Sequence, residues 1–423
     1  MFWLTSIIGK SVCWLSRHLG GGHGSALPGL IVEKLYPKFL ARLMSQLPDG
    51  VVLVTGTNGK TTTTKIIVDL LRADGYRVFT NPSGSNYTRG VISAALPEMR
   101  RGQLPADIAV LELDEIYATH FVDQVRPQYS LLLNVLRDQL DRFGEIDNTA
   151  RLLKYVAEHT NKAVVVNGDD PRLAKLAKNK SISAMVSCFG YSGPASQLYK
   201  TDEELHSNTA KLEKKIVKDV LSINKLADNV ATYAIDGELY QVKLRLFGSH
   251  NALNCAAALA LIKAVEGDKF DAGQAVEHLG AIRPAFGRGE IIVVNDGEVR
   301  LILVKNPSGF QIALDSAPDL PTLIAINDAH ADGRDMSWLW DVNFGKLQKQ
   351  SVMTTGIRAT DMALRLEYDG VSVVKTDDDM DMMVRQFISK LDSGEGQIFA
   401  SYTAMLKIRD ILKQIGQVND QAN

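Results

Sequence analysis

From residue 51 onward, short unbroken apolar runs alternate with segments of helical period. The runs are VVLV (51–54), YRVF (76–79), DIAVLEL (107–113), YSLLLN (129–134) and AVVVN (163–167), and the first leads directly into the helical TTTTKIIVDLLRADG. A strand that is apolar throughout must be covered on both faces, and helices linking parallel strands supply that cover. The pattern predicts an α/β fold with a parallel sheet. Between 189 and 247 it changes to the polar KLEKKIVKD, read as a solvated face, followed by ATYAIDGELYQVKLRL, where Asp236-Gly237 between two alternating runs signals a hairpin. After the helical HNALNCAAALALIKAV comes a second hairpin signal, Asp296-Gly297 in EIIVVNDGEVRLILVKN. LIAIN (323–327), SVMTT (351–355), VSVV (371–374) and QIFAS (397–401) then alternate with helical segments again. The expected organisation is an N-terminal helical segment (1–48), a central domain (49–289) with a β-rich insertion (189–247), and a second α/β domain (290–423).

The N-terminus, MFWLTSIIGKSVCWLSRHLG, is apolar but interrupted by Lys10, Arg17 and His18 before the roughly 20 residues a membrane span needs. Phe2, Leu4, Ile7, Ile8, Val12 and Leu15 mark one side of a helix, so an amphipathic helix docked on the protein is expected, with contact to a membrane surface as the alternative. A basic start and a small-residue cleavage site, the marks of a signal peptide, are absent from it. Over 423 residues, 47 Lys and Arg against 49 Asp and Glu leave a net charge of −2, which argues against nucleic-acid binding by bulk positive charge. Cys13, Cys188 and Cys255 are too few and too scattered for a disulfide framework, and no CxxC pair offers a structural zinc site. A reducing, cytoplasmic setting is expected.

The strongest chemical signal is VVLVTGTNGKTTTT. A glycine-rich turn between a strand and a helix lets backbone N–H groups and the helix N-terminus face phosphate oxygens. Lys60 adds a positive charge and Thr61 a hydroxyl for Mg²⁺. The turn, Gly56-Thr57-Asn58-Gly59-Lys60-Thr61 followed by Thr62, is shorter than the GxxxxGK[ST] loop, since Val54 stands where the first glycine would be. Lys60 is expected to contact ligand and not core. Mg²⁺ prefers a few protein oxygens plus phosphate oxygens, and Glu112, Asp114 and Glu115 end the run DIAVLELDE beside this loop. Glu112 is the favoured ligand; solvation at a strand end is the bland alternative. Asp138 and Asp141 share a helical face, where they would hold a water or a second metal, or serve only as caps. Asn167, Asp169 and Asp170 follow another strand, either as contacts to a nucleotide base or as an ordinary turn.

The ordered set TGTNGKTT, LELDE, LLLNVLRDQLDRFGEID, VVVNGDDP, GSHNALNCAAALAL and FGRGE resembles the Mur ligase family of ATP-dependent amide-forming enzymes, over nearly the whole chain from residue 51. NPSGSNYTRG, PAFGRGE, VKNPSGF and NDAHADGRDMSWLWD resemble one branch of it more closely. That resemblance implies a peptidoglycan enzyme in which ATP activates the α-carboxylate of D-glutamate in the lipid II stem peptide as an acyl phosphate. Ammonia from a separate GatD-type glutaminase subunit, paired with the ligase as a heterodimer, then displaces phosphate to leave D-isoglutamine. It also implies that Gly56, Thr57, Asn58, Gly59, Lys60 and Thr61 hold the phosphates and that Thr61 with Glu112 holds Mg²⁺. Asn167, Asp169, Asn251, Asn254 and Arg288 match nucleotide-contacting positions. Asp335 matches an aspartate that completes the glutaminase's Cys-His set across the interface. Two departures stand out: Gln139 replaces a frequent histidine, and the zinc ribbon many members carry after the nucleotide-contacting turn has only Cys188 here, so no zinc is expected.

The competing readings are a Mur-like ligase of the folylpolyglutamate or cyanophycin type, a P-loop kinase or regulatory NTPase, and a silent scaffold for the glutaminase. The HNALN helix and the second α/β unit count against the NTPase, and intact Lys60, Thr61 and Glu112 against the scaffold.

Overall fold

The apolar runs become central strands because a strand covered on both faces has little room for polar side chains. The computed structural model describes residues 2–19, 27–82, 86–137, 146–198, 221–284, 288–294, 297–391 and 394–415. Its first sheet comprises β1 (Gly50–Thr55), β2 (Val78–Thr80), β3 (Ile108–Glu112), β4 (Tyr129–Leu132), β5 (Ala163–Asn167), β6 (Met185–Tyr191), β7 (Leu221–Ala227), β8 (Val230–Ile235) and β9 (Glu238–Lys243). They lie in the order β2-β3-β1-β4-β5-β6-β7-β8-β9, parallel from β2 to β7 and antiparallel from β7 to β9.

β1 shows how the two faces are filled. Val52 and Val54 join a core with the helices Lys60–Ala73, Ser249–Glu266 and Ala272–Ala281. Val51 and Leu53 join the opposite core, with Thr88–Glu98, Glu115–Val122, Ile146–Glu158 and the N-terminal helices. Burying each such side chain contributes about 1.5–3 kcal/mol, which is why both faces of the strand carry apolar residues.

The β-rich stretch does not stand apart from this sheet: β7, β8 and β9 extend its edge in a continuous ladder. Asp236 (φ 53°) and Gly237 (φ 90°) both adopt the left-handed region, as a two-residue hairpin turn requires. A second turn of this kind, Asp228-Asn229, joins β7 to β8. The KLEKKIVKD run lies outside the described residues.

The second sheet comprises β10 (Arg288–Val294), β11 (Gly297–Leu303), β12 (Thr322–Ala325), β13 (Val352–Thr355), β14 (Val373–Thr376) and β15 (Glu395–Ala400). Its order is β10-β11-β15-β12-β13-β14, with only the β10–β11 pair antiparallel. Pairing of Val294 with Gly297 fits the expected hairpin, although Asp296 itself lies outside the described residues. β14 begins two residues later than the VSVV run.

The N-terminal helix, Phe2–Leu19, reverses its expected docking. Phe2, Thr5, Ser6, Gly9 and Cys13 are buried, whereas Leu4, Ile7, Ile8 and Leu15 are exposed.

Candidate functional site

The glycine turn follows β1, which lies between β3 and β4, so the loop opens where successive connections leave the sheet in opposite directions. Ligands bind at such switch points in open α/β sheets. Asn134, just beyond β4, pins the turn: its Oδ1 accepts from Asn58 N (2.8 Å), its Nδ2 donates to Asn58 O (2.9 Å), and its carbonyl accepts from Thr57 N (3.1 Å). The Thr57 hydroxyl accepts from Leu136 N at 3.2 Å, so that side chain is used to hold the loop. Gly59 (φ 89°) immediately precedes the helix Lys60–Ala73, and a Cβ there would lie 2.5 Å from Asn254 Oδ1. The start of the Ser249–Glu266 helix therefore rests directly on the phosphate loop. Asn251 Nδ2 donates to Phe247 O (2.7 Å), and Asn254 Nδ2 donates to Asn251 Oδ1 (3.3 Å).

This close approach carries a prediction. Gly59→Ala adds a Cβ against Asn254 and forces a side chain into the left-handed region, which costs about 1–3 kcal/mol. Nucleotide affinity by calorimetric titration and the melting temperature should both fall.

Lys60 is only 6% exposed, and its surroundings correct the expectation that it faces ligand alone. Its Nζ donates to Gly56 O (2.7 Å) and lies 3.2 Å from Asp114 Oδ1 and 3.8 Å from Glu115 Oε2. Burial pushes the Asp114 carboxyl up, but the charges of Lys60 and Lys305 and hydrogen bonds from Lys60 and Asn86 outweigh it and hold it below the usual range. Asp114 and Glu115 thus serve as counter-charges to the loop lysine and are not merely solvated.

Thr61 and Glu112 meet: Thr61 Oγ1 donates to Glu112 Oε1 at 2.9 Å, and Asn86 Nδ2 donates to the same oxygen at 3.2 Å. Asn81 clamps the Glu112 backbone from both sides, accepting from its N–H (3.0 Å) and donating to its carbonyl (2.9 Å). Thr62 follows, buried, in the first turn of the helix. Among the described residues no three His, Cys, Asp or Glu side chains converge as a protein-only metal cage would require. One hydroxyl and one carboxylate fit Mg²⁺, which takes its remaining oxygens from phosphate and water.

On the other side of the loop, Asn167 ends β5 fully buried, and its Oδ1 accepts from Asp169 N (3.0 Å). Its Nδ2 is buried without a hydrogen-bond partner. Asp169 accepts from Tyr191 N (2.7 Å). Asp170 is structural: it caps the helix Pro171–Ala174 and accepts from Val135 N at 2.7 Å, tying the ends of β4 and β5 together. Burial pushes its carboxyl up to about 6, against the lowering effect of those backbone hydrogen bonds. Asp138, Gln139 and Asp141 lie outside the described residues, as does the Arg288 side chain, although its backbone opens β10.

The second sheet reaches into the site through a turn to which the sequence assigned no role. Asn306 caps the helix Pro307–Ser316 and exchanges side-chain hydrogen bonds with Asn58 of the phosphate loop (3.0 and 3.4 Å). Ser308 Oγ donates to Arg137 O at 3.3 Å, and Lys305 contributes its charge beside Asp114. VKNPSGF carries a resemblance in sequence but no chemical signal of its own, so only its contacts disclose this. Asn81 and Asn86 were also missed, although NPSGSNYTRG contains both.

Asp335 lies elsewhere, in the loop after β12, where its Oδ1 accepts from Ser337 N at 2.8 Å. Hydrogen bonds from the Ser337 backbone and side chain hold its carboxyl below the usual range. The loop is braced by Asp332, which accepts from Thr403 N (2.7 Å), and by Asn327, which donates to Thr403 Oγ1 (3.0 Å). It stands at the carboxyl ends of β12 and β15.

A loop of backbone N–H groups at a switch point, with an embedded lysine, is built to hold polyphosphate, so the class is a P-loop nucleotide-binding α/β protein. A family profile described as Mur ligase middle domain matches residues 54–262, and one described as MurT ligase C-terminal matches 303–405. Among similar proteins is the lipid II isoglutaminyl synthase (glutamine-hydrolyzing) subunit MurT of Streptococcus pneumoniae, 29% identical over 95% of each chain. The subunit of that name from Staphylococcus aureus is 28% identical over 84% of this chain and 85% of its own. Among solved structures, MurF ligase from Thermotoga maritima in complex with ADP matches with a TM-score of 0.69 at 18% identity, covering 91% of this chain and 83% of its own. Folylpolyglutamate synthase from Mycobacterium tuberculosis, solved with ADP and AMPPCP, matches with a TM-score of 0.64 at 16% identity, covering 97% and 100%. The chain belongs to the Mur ligase family.

Proposed function

We propose that this chain is the ligase subunit of an ATP-dependent enzyme that converts the α-carboxylate of D-glutamate in the lipid II stem peptide to an amide. The observation that carries this reading is the clasp between Asn58 of the phosphate loop and Asn306 of the second sheet, in the turn where the MurT C-terminal match begins. A carboxylate is a poor electrophile in water, and a site closed between two sheets can activate it and shield the product from hydrolysis.

In this reading a carboxylate oxygen attacks the γ-phosphorus of ATP and ADP leaves, giving an acyl phosphate. Ammonia then attacks the acyl carbon, phosphate departs with the bonding pair, and the amine loses a proton. Lys60 and the loop N–H groups stabilise the phosphate charge that builds during transfer. Thr61 and Glu112 would hold Mg²⁺, which neutralises phosphate charge when bound. Asn167, Asp169, Asn251, Asn254 and Arg288 are assigned to the nucleotide, and the chain divides at about residues 48 and 289. Ammonia is supplied by a cytoplasmic GatD-type glutaminase subunit whose catalytic set Asp335 completes.

Co-purification with such a glutaminase, followed by incubation with lipid II, ATP, Mg²⁺ and glutamine, tests the whole proposal. Mass spectrometry should show the stem glutamate converted to its amide, with ATP cleaved to ADP and phosphate. ATP-dependent addition of glutamate to a folate, with no amidation of lipid II, would assign the chain to the amino-acid-adding ligases instead.

A further inference from the structure

We infer that the outer face of the N-terminal helix seats the protein on an anionic lipid bilayer. The helix Phe2–Leu19 is inverted relative to an ordinary surface helix. Its small and polar side packs inward, where a Cβ on Gly9 would lie 2.6 Å from Val32 Cγ2 and 2.8 Å from Leu96 Cδ2. That fit draws the helix onto its neighbours Leu27–Leu35 and Thr88–Glu98, and Lys10 fastens it by donating to Met99 O. Its bulky apolar side faces outward as one stripe: Trp3 (59% exposed), Leu4, Ile7, Ile8, Trp14 (61% exposed) and Leu15. Contiguous apolar surface of this kind marks a contact site, unlike scattered single residues.

Charge decides which occupant. Residues 1–48 contain five Lys and Arg but one acid, Glu33, in a chain whose overall charge is −2. Glu33 is itself paired with Arg89 at 2.6 Å. An N-terminal segment with this excess of basic residues, carrying an apolar stripe with two tryptophans, suits the headgroup region of anionic lipids, where tryptophan is enriched and each cation near the surface gains attraction. A partner protein would need apolar surface but not this uniform sign. Among the described residues no helix is long and apolar enough to cross a membrane, so the helix would lie in the surface plane.

The neighbouring groove fits the same orientation. About 540 Å³ in volume, it is lined by Glu33 of the adjoining helix with Tyr87, Arg89, Tyr117 and His120. Asn86, next in the chain to Tyr87, bonds Glu112 of the phosphate site. A headgroup presented by the bilayer would meet this groove beside the seated helices. That purpose rests on the lipid-linked substrate proposed above, whereas the seating itself does not.

The test is flotation of the full chain with vesicles of phosphatidylcholine alone or mixed with phosphatidylglycerol, free of any peptidoglycan precursor. Binding to the mixed vesicles, weakened by salt and accompanied by a blue shift of tryptophan emission, is expected. The double variant Trp3→Ser/Trp14→Ser should lose about tenfold or more in binding while melting like the parent. Trp340→Ser, at an exposed position in the short helical turn Ser337–Asp341, should bind normally. Failure to float with either vesicle, or equal flotation by the double variant, would overturn the inference. So would a change from oligomer to monomer in lipid-free buffer on making the double variant, since the stripe would then be a protein interface. Loss of lipid II amidation with vesicle binding intact would count only against the proposed reaction.

Discussion

Lys60→Ala is expected to lower kcat for ATP-dependent amidation by about 10²–10³ or more, the effect of removing a positioned donor from a developing charge. The surroundings of Lys60 add a second consequence. Without its ammonium group, Glu115 loses its counter-charge in a buried setting and Asp114 keeps only the charge of Lys305, and breaking a buried pair costs up to about 3–5 kcal/mol. Kinetics and thermal melting therefore need to be read together. The double variant Lys60→Ala/Asp114→Asn should recover part of the lost stability, because it removes one unpaired charge, yet remain inactive. Recovery of activity along with stability would show that Lys60 serves the fold and not the phosphates, and would withdraw it from the site.

Asp335→Asn should suppress glutamine-driven amidation while leaving ammonium-driven amidation intact. An ionised carboxylate outside the phosphate site, held by Ser337 below its usual titration range, is suited to orient a partner's histidine. Removing the orienting acid from a nucleophile–base–acid set costs about 10⁴ in kcat in the serine proteases that define the arrangement. The hydrogen bond to Ser337 N makes the asparagine variant the informative one, since asparagine keeps an acceptor oxygen for that bond and loses only the charge. Asp335→Ala should lose this exposed turn hydrogen bond as well, lowering stability by about 0.5–1.5 kcal/mol. Equal loss of both nitrogen sources in a normally melting Asp335→Asn protein would defeat the assignment and leave the glutaminase with a complete catalytic set of its own.

Much of the fold was legible along the chain because a strand buried on both faces must be apolar throughout. The runs at 51–54, 107–113, 129–134 and 163–167 therefore announced β1, β3, β4 and β5. The Asp236-Gly237 hairpin was legible for a different reason, since two successive left-handed residues favour this pair. β6 and β7 were not singled out: Ser187 and Gly190 interrupt the apolar run of one, and the other follows the charged stretch at the sheet's far end.

The phosphate loop is a local device, formed by consecutive residues at a strand–helix junction, so sequence alone determined Gly56 to Thr61 as its elements. Glu112 could be nominated as well, because strand ends of an open sheet converge. Which side chains would touch was decided only by tertiary structure. Asn58 meets Asn306 across 248 residues, Asn134 grips the loop from the next strand, and Asn254 presses on Gly59 from another helix. Asparagines leave no periodic signature, since the pairing of two amides depends on distance in space and not on spacing in the chain. The N-terminal helix shows the same limit from the other side. Its composition specified an amphipathic helix, but Gly9, by admitting Val32 and Leu96, decided that the small side would turn inward and the tryptophans outward. Hydrophobicity along a chain measures what burial would gain, and only packing determines which face comes close enough to receive it.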